Sequence, residues 1–260
     1  MRWPQIEDAV DERLTALRDL PSRAGTRSEV VIIEGATAVG RALVGPLPLL
    51  AVVGTASHLS RLPAAQLPAD VWQVEASLLS AVMGFDFHRG VVALAERPRG
   101  EPPGLTAALA RPAWTIVVVE RLADPANVGA IVRTAAVLGV DAVVCDAAGA
   151  DPFARRALRA SMGHALVDPP WVAEDLPAAV ARLSDAGGQI VATTTDSTAT
   201  SLPEFVAADK TAVLFGNEGS GLSAALAARA DAAVTIPIAP GSDSLNVAAA
   251  VAIVAYALRG

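Results

Sequence analysis

The chain has 260 residues, 53% of them apolar, and a formal net charge of −7. That apolar content excludes a disordered polymer, and the acidic balance excludes a protein coated with basic patches. Of the 20 lysines and arginines only Lys210 is lysine, so its positive charge suits bidentate phosphate contact, although the abundance of alanine makes compositional bias an equal reading.

The polar start (Arg2, Glu7, Asp8, Asp11) lacks the apolar core of a secretion signal, and no apolar run approaches the roughly 20 residues of a membrane span, so a cytoplasmic location is expected. Residues 4–20 read as an amphipathic helix with Ile6, Val10, Leu14 and Leu17 on one face. A basic stretch at 21–27 offers Arg23 and Arg27 to phosphate. Strands are expected at 30–33, 49–53, 71–74 and 91–95, and helices at 39–43 and 77–83, which makes a small mixed α/β domain over 1–97. His88 and Arg89 stand out in the turn before the last of these strands. The Pro- and Arg-rich composition of 98–112 reads as a linker, so a second domain is expected over 113–260.

That domain opens with an apolar run at 114–120, a strand buried on both faces, followed by a helix at 130–138 with Asn127 as its candidate cap and Arg133 on its second turn. Cys145, the single cysteine, ends the next strand at 140–145 and reads as buried. Alone, it excludes an internal disulfide and a cysteine metal cluster, and no metal is expected. A short helix within 151–159 carries Arg155, Arg156 and Arg159, with Arg155 and Arg159 on one face as a candidate phosphate patch. Helix at 176–186 and strand at 190–194 lead to two apolar runs, 212–215 and 233–236. Each breaks into a polar loop, and side-by-side loops at strand ends are where open α/β sheets hold ligands. The segment 245–258 is apolar on nearly every face, so burial all round is expected.

Three ordered stretches carry a resemblance: Asn127-Val128-Gly129-Ala130-Ile131-Val132-Arg133; Phe215-Gly216-Asn217-Glu218-Gly219-Ser220-Gly221; and Ile236-Pro237-Ile238 with Ser244-Leu245-Asn246. They resemble the motifs of the SpoU/TrmH family of RNA 2′-O-ribose methyltransferases in the SPOUT superfamily. The resemblance implies an α/β fold with a C-terminal trefoil-knotted SPOUT methyltransferase domain behind a small mixed α/β RNA substrate-binding domain. It implies S-adenosylmethionine in the knot, held by Gly216, Ile236 and Leu245, with Thr194, Leu214, Asn217, Gly221 and Ile238 completing the cofactor set. It carries over Asn127, Arg133, Glu218, Ser244 and Asn246 as the catalytic set, with Asn127 expected to orient Arg133 or the cofactor, Glu218 to fix its loop or Arg133, Ser244 and Asn246 to cap the last helix and line the site, and proton removal assigned to no residue. Arg23, Arg27, Arg89, Arg155, Arg156 and Arg159 are the candidate RNA-binding residues, for rRNA or tRNA with rRNA favoured. A homodimer packed through the last helix is the expected assembly.

Other classes stand beside this reading. One is an inactive RNA-binding protein that keeps the fold, and another is a base methyltransferase from elsewhere in the superfamily. A dehydrogenase fits poorly, since no Gly-x-Gly-x-x-Gly follows the run ending at Glu120.

Overall fold

The computed structural model describes residues 3–18, 28–239, 241–242 and 244–259. In chain order its elements begin with β1 (Val30–Glu34), α1 (Ala36–Val44), β2 (Leu49–Gly54), α2 (Ala56–Leu59), β3 (Val71–Gln73), α3 (Ala76–Met83), β4 (Val91–Glu96) and α4 (Pro103–Leu109). They continue with β5 (Trp114–Val119), α5 (Pro125–Leu138), β6 (Ala142–Asp146), α6 (Arg155–Ala160), β7 (Trp171–Ala173) and α7 (Leu176–Asp185). The last are β8 (Gln189–Thr193), β9 (Thr200–Ser201), β10 (Lys210–Phe215), α8 (Ala224–Ala227), β11 (Ala232–Thr235) and α9 (Val247–Ala257). Two units result: Met1–Pro98 with Phe153–Val167, and Arg99–Pro152 with Asp168–Gly260.

The first unit is a four-stranded sheet in the order β1-β4-β2-β3, with β4 antiparallel to both neighbours and β3 parallel to β2. Its core gathers Leu14, Leu17, Val53, Leu79, Met83, Phe87 and Val92. Over 4–18, the described part of the expected helix 4–20, no α-helix is formed. Gln5 instead bridges Gln73, with the Ile6 N–H donating to the Gln73 carbonyl at 2.9 Å, and only Glu12–Leu17 coils, as a 3-10 helix. Asp8 and Asp11 side chains accept from the N–H groups of Val10 and Arg13 at 2.9 Å each, and such local bonds compete with an α-helix. Val10 is accordingly 71% exposed, while Ile6, Leu14 and Leu17 are buried. Arg23 and Arg27 lie outside the described residues.

The segment Phe153–Val167 belongs to this first unit, although its sequence sits between elements of the second. Glu34, at 6% exposure, explains the attachment: its carboxylate accepts from Arg155 Nε, and Arg155 also lies over the Phe85 ring at 4.7 Å. A buried carboxylate needs such a partner.

The second unit is an all-parallel, seven-stranded sheet in the order β7-β6-β5-β10-β8-β11-β9. The adjacent central strands β5 and β10 are almost wholly buried, as the apolar run at 114–120 requires. The stretch read as a linker contributes a packed element. Pro103 starts α4, and Leu105 and Leu109 enter the core with Trp114, Ile116, Leu183 and Leu214. Proline at the first helical position is favourable, so the composition of a linker here marks a helix start. Helix α9 packs against α5 and buries Val247, Val251 and Val254, yet Ile253 and Tyr256 are 41% and 73% exposed, so it is not buried all round in the single chain.

Candidate active site

Parallel pairing puts the C-terminal ends of β5, β10, β8 and β11 along one edge of the sheet, so the loops that follow them share that edge. The β10 and β11 loops are one strand apart, with β8 between them, rather than neighbours. β8 ties the two strands together there. Thr193 Oγ1 donates to the Leu214 carbonyl at 2.8 Å, and the Thr194 N–H donates to the Val234 carbonyl at 3.0 Å.

The β10 loop folds tightly on itself. Asn217 and Gly221 exchange backbone hydrogen bonds of 3.1 and 2.9 Å, and Asn217 Oδ1 accepts from the N–H groups of Gly219 and Ser220 at 2.9 and 3.1 Å. A Cβ on Gly216 would stand 2.1 Å from the Gly221 carbonyl carbon, so this position takes no side chain. Glu120, 6% exposed at the end of β5, accepts from the Ser223 N–H at 2.7 Å and fixes the far end of the loop.

The cap of α5 is Asp124, which accepts from the Ala126 N–H at 2.8 Å ahead of Pro125. Asn127 is therefore inside the first turn, and its side chain is free for other work. Asn127 Nδ2 donates to Glu218 Oε1 at 2.9 Å, while its Oδ1 accepts from Asn246 Nδ2 at 3.1 Å. Asn246 in turn caps α9 by accepting from the Ala248 N–H at 2.9 Å. The two ends set the polarity of this relay, because a carboxylate only accepts and a backbone N–H only donates. Neither asparagine can be reversed without breaking a bond.

Glu218 Oε2 also accepts from the Ala123 N–H at 3.3 Å. Partial burial pushes the Glu218 carboxyl up, but the bonds from Asn127 and from backbone N–H groups outweigh it and hold it below the usual carboxylate range. It is a charged acceptor at neutral pH. Asn127 and Glu218 bond within the relay and to the Ala123 N–H, and neither bonds to Arg133. Arg133 lies exposed on α5, with no hydrogen-bond or ion-pair partner among the described residues. Ser244 is exposed and joins none of these bonds.

The cofactor candidates fit an adenosine-bearing ligand by their chemistry. Ile238 and Leu245 are large apolar side chains left 37% and 39% exposed on the loop between β11 and α9, and Ile236 is half-buried at its root. Apolar faces above the peptide groups of strand ends can sandwich a base. Leu214 is fully buried, and its carbonyl accepts from Thr193 Oγ1.

Of the RNA candidates, Arg89, Arg155 and Arg159 line one cavity of about 340 Å³ in the first unit. Arg156 is exposed but does not line it. Arg155 is committed to Glu34, and Arg89 Nε stands 4.0 Å from the same carboxylate. Sequence reasoning did not single out Glu120, Glu34 or Asp124. The Asp-Pro pair before an apolar periodic run was the available signal for the last, and a carboxylate closing an apolar strand the signal for the first two.

The SpoU rRNA Methylase family model matches residues 115–256. An uncharacterised tRNA/rRNA methyltransferase of Mycobacterium bovis is 40% identical over 96% of this chain and 89% of its own. The 23S rRNA (guanosine(2553)-2′-O)-methyltransferase RlmP of Bacillus subtilis is 29% identical over 98% of this chain and 99% of its own. Among solved structures, an AdoMet-bound rRNA methyltransferase from Sinorhizobium meliloti superposes with a TM-score of 0.83 at 26% identity, covering 98% and 97% of the two chains.

Proposed function

This chain belongs to the SpoU rRNA Methylase family, and we propose that it methylates a ribose 2′-hydroxyl of structured RNA, rRNA ahead of tRNA, using S-adenosylmethionine. The RNA-methyltransferase activity and the methyl donor follow from the family and from its AdoMet-bound neighbour. The 2′-O position is supported by the Bacillus relative's activity, and rRNA by that relative and the Sinorhizobium neighbour. One observation carries the site: the Asn246-Asn127-Glu218 relay, which joins the loops after β5, β10 and β11 into one polar edge.

S-adenosylmethionine, when bound, supplies an electrophilic methyl group on a sulfonium. Gly216, Ile236, Ile238 and Leu245 would hold it, with Thr194, Leu214, Asn217 and Gly221 shaping the loop ends. A ribose hydroxyl is a weak nucleophile at neutral pH, so alignment and charge decide the rate. Arg133 brings an unpaired guanidinium that can hold a phosphate and stabilise the developing alkoxide, and a guanidinium, which only donates, offers no acceptor for the ribose proton. The relay fixes the loop edge from which Asn127 and Glu218 would act, and Ser244, two residues before Asn246, would line the site.

The reading extends to architecture. A trefoil knot accords with the late strand β10 lying between β5 and β8 and with α9 returning onto α5. A homodimer accords with the apolar side chains of α9 and α5 that stay exposed in one chain, Ile253, Tyr256 and Val137. The first unit would choose the RNA, with Arg89 and Arg159 at its cavity. Among the described residues no helix is long and apolar enough to cross a membrane, which accords with work in the cytoplasm. Mapping 2′-O-methyl sites in total RNA from cells with and without the gene tests the function. One site lost on deletion, and not restored by an Arg133→Ala copy, is expected; an unchanged map refutes it.

A further inference from the structure

Two non-glycine residues among those described have positive φ, Met162 at 54° and Arg121 at 44°. Left-handed backbone suits glycine or asparagine, and a long side chain persists there only where its surroundings over-determine the conformation. At Arg121 they do. Its carbonyl accepts from Asn217 Nδ2 at 2.8 Å, and the neighbouring Leu122 carbonyl accepts from the Ala150 N–H at 2.7 Å. Gly149 passes so close that a Cβ there would stand 3.1 Å from the Arg121 Cα.

This turn serves the site through its backbone. It sends Glu120 onto the Ser223 N–H and brings the Ala123 N–H to Glu218. Glycine would perform that task with less strain than arginine, so the backbone does not account for the side chain. The guanidinium is exposed, and no hydrogen bond or ion pair holds it among the described residues. In the sequence Arg121 stands six residues before Asn127 and Arg133 six after it. Arg121 and Arg133 are thus two exposed, unpaired guanidiniums on the loop and helix that carry Asn127, in a chain of net charge −7.

We propose that Arg121 is a substrate-binding residue that grips an RNA phosphate beside the target ribose. The proposal rests on the reading of the protein as an RNA methyltransferase. It adds a contact outside the three motifs, one that sets RNA affinity and register while leaving the methyl donor untouched.

Arg121→Gly separates the two roles, because it keeps the left-handed turn and removes the charge. The probe is total RNA from cells lacking the gene, used for filter binding across a salt series and for transfer of tritiated methyl groups. Arg121→Gly is expected to melt no lower than wild type and to bind S-adenosylmethionine equally well. Its RNA affinity should drop by about 5- to 30-fold, with the slope of log affinity against log salt shallower by about one. Arg121→Lys should restore that slope. Wild-type affinity and slope in Arg121→Gly would overturn the proposal, as would equal losses in both variants at an unchanged slope. RNA bound by wild type without methyl transfer would refute the enzymatic reading alone, since the slope comparison would still decide Arg121.

Discussion

Glu218 gives the site its sharpest test at the level of single atoms. Both its oxygens accept, from Asn127 Nδ2 and the Ala123 N–H, so Glu218→Gln keeps the shape but sets an amide N–H₂ against one of these donors. Leaving a donor unmatched beside a lost charge costs about 1.5–3 kcal/mol, and kcat/KM for RNA should fall by roughly 10- to 100-fold. Because hydrogen bonding holds the folded carboxyl below its ordinary value, its contribution is complete above the unfolded value and fades as pH falls through the folded one. The stability gap between wild type and Glu218→Gln, measured by denaturant titration, should therefore stay constant from about pH 9 to about pH 5 and shrink below that. A gap that grows on acidification would show that the carboxyl is held up rather than down. The candidate residue types were legible in the sequence because they came in ordered motifs. Their partners were not. Asn127 precedes the helical pattern and so looks like a cap, whereas the cap is Asp124, three residues earlier, which frees Asn127 to join Asn246 and Glu218 across a long chain separation.

Among the elements, strands were the easiest to anticipate, because β5 and β10 are buried on both faces and apolar runs announce that without a partner. Segments with turn-like composition were harder. The prolines before α4 serve as a helix start, and aspartates in 4–20 divert the backbone into local bonds that periodicity does not register. The loop after β10 is where one methyl group should matter most. Gly216→Ala would place a carbon 2.1 Å from the Gly221 backbone, so the loop must open. Binding of S-adenosylmethionine should weaken by at least about tenfold, roughly 1.4 kcal/mol, as measured by calorimetry. Near-native affinity would show that the loop is not part of the cofactor site. The cap of α5 should behave more modestly. Asp124→Ala removes one bond to the Ala126 N–H, and about 1 kcal/mol, or roughly 2–4 °C in Tm, is the expected loss by thermal melting.

For the whole molecule, the attachment of Phe153–Val167 to the first unit was invisible in the sequence, because it depends on Arg155 meeting a buried Glu34 more than a hundred residues away. The apolar excess of α9 was legible, and the structure divides it into a face packed on α5 and a face left open at Ile253 and Tyr256. A second copy covering that face gives a particle of about twice 26.4 kDa by light scattering, and Ile253→Glu with Tyr256→Glu should return it to a single chain. A monodisperse monomer of the unaltered protein would refute the dimer. The account as a whole stands on the chemistry at the edge formed by the loops after β5, β10 and β11. Its most direct test is to incubate the protein with deuterated-methyl S-adenosylmethionine and RNA from cells lacking the gene, digest the RNA to nucleosides and weigh them by mass spectrometry. The account predicts one deuterated ribose-methylated nucleoside, absent with Arg133→Ala; a label found on a base, or no label from the folded wild-type protein, would contradict it.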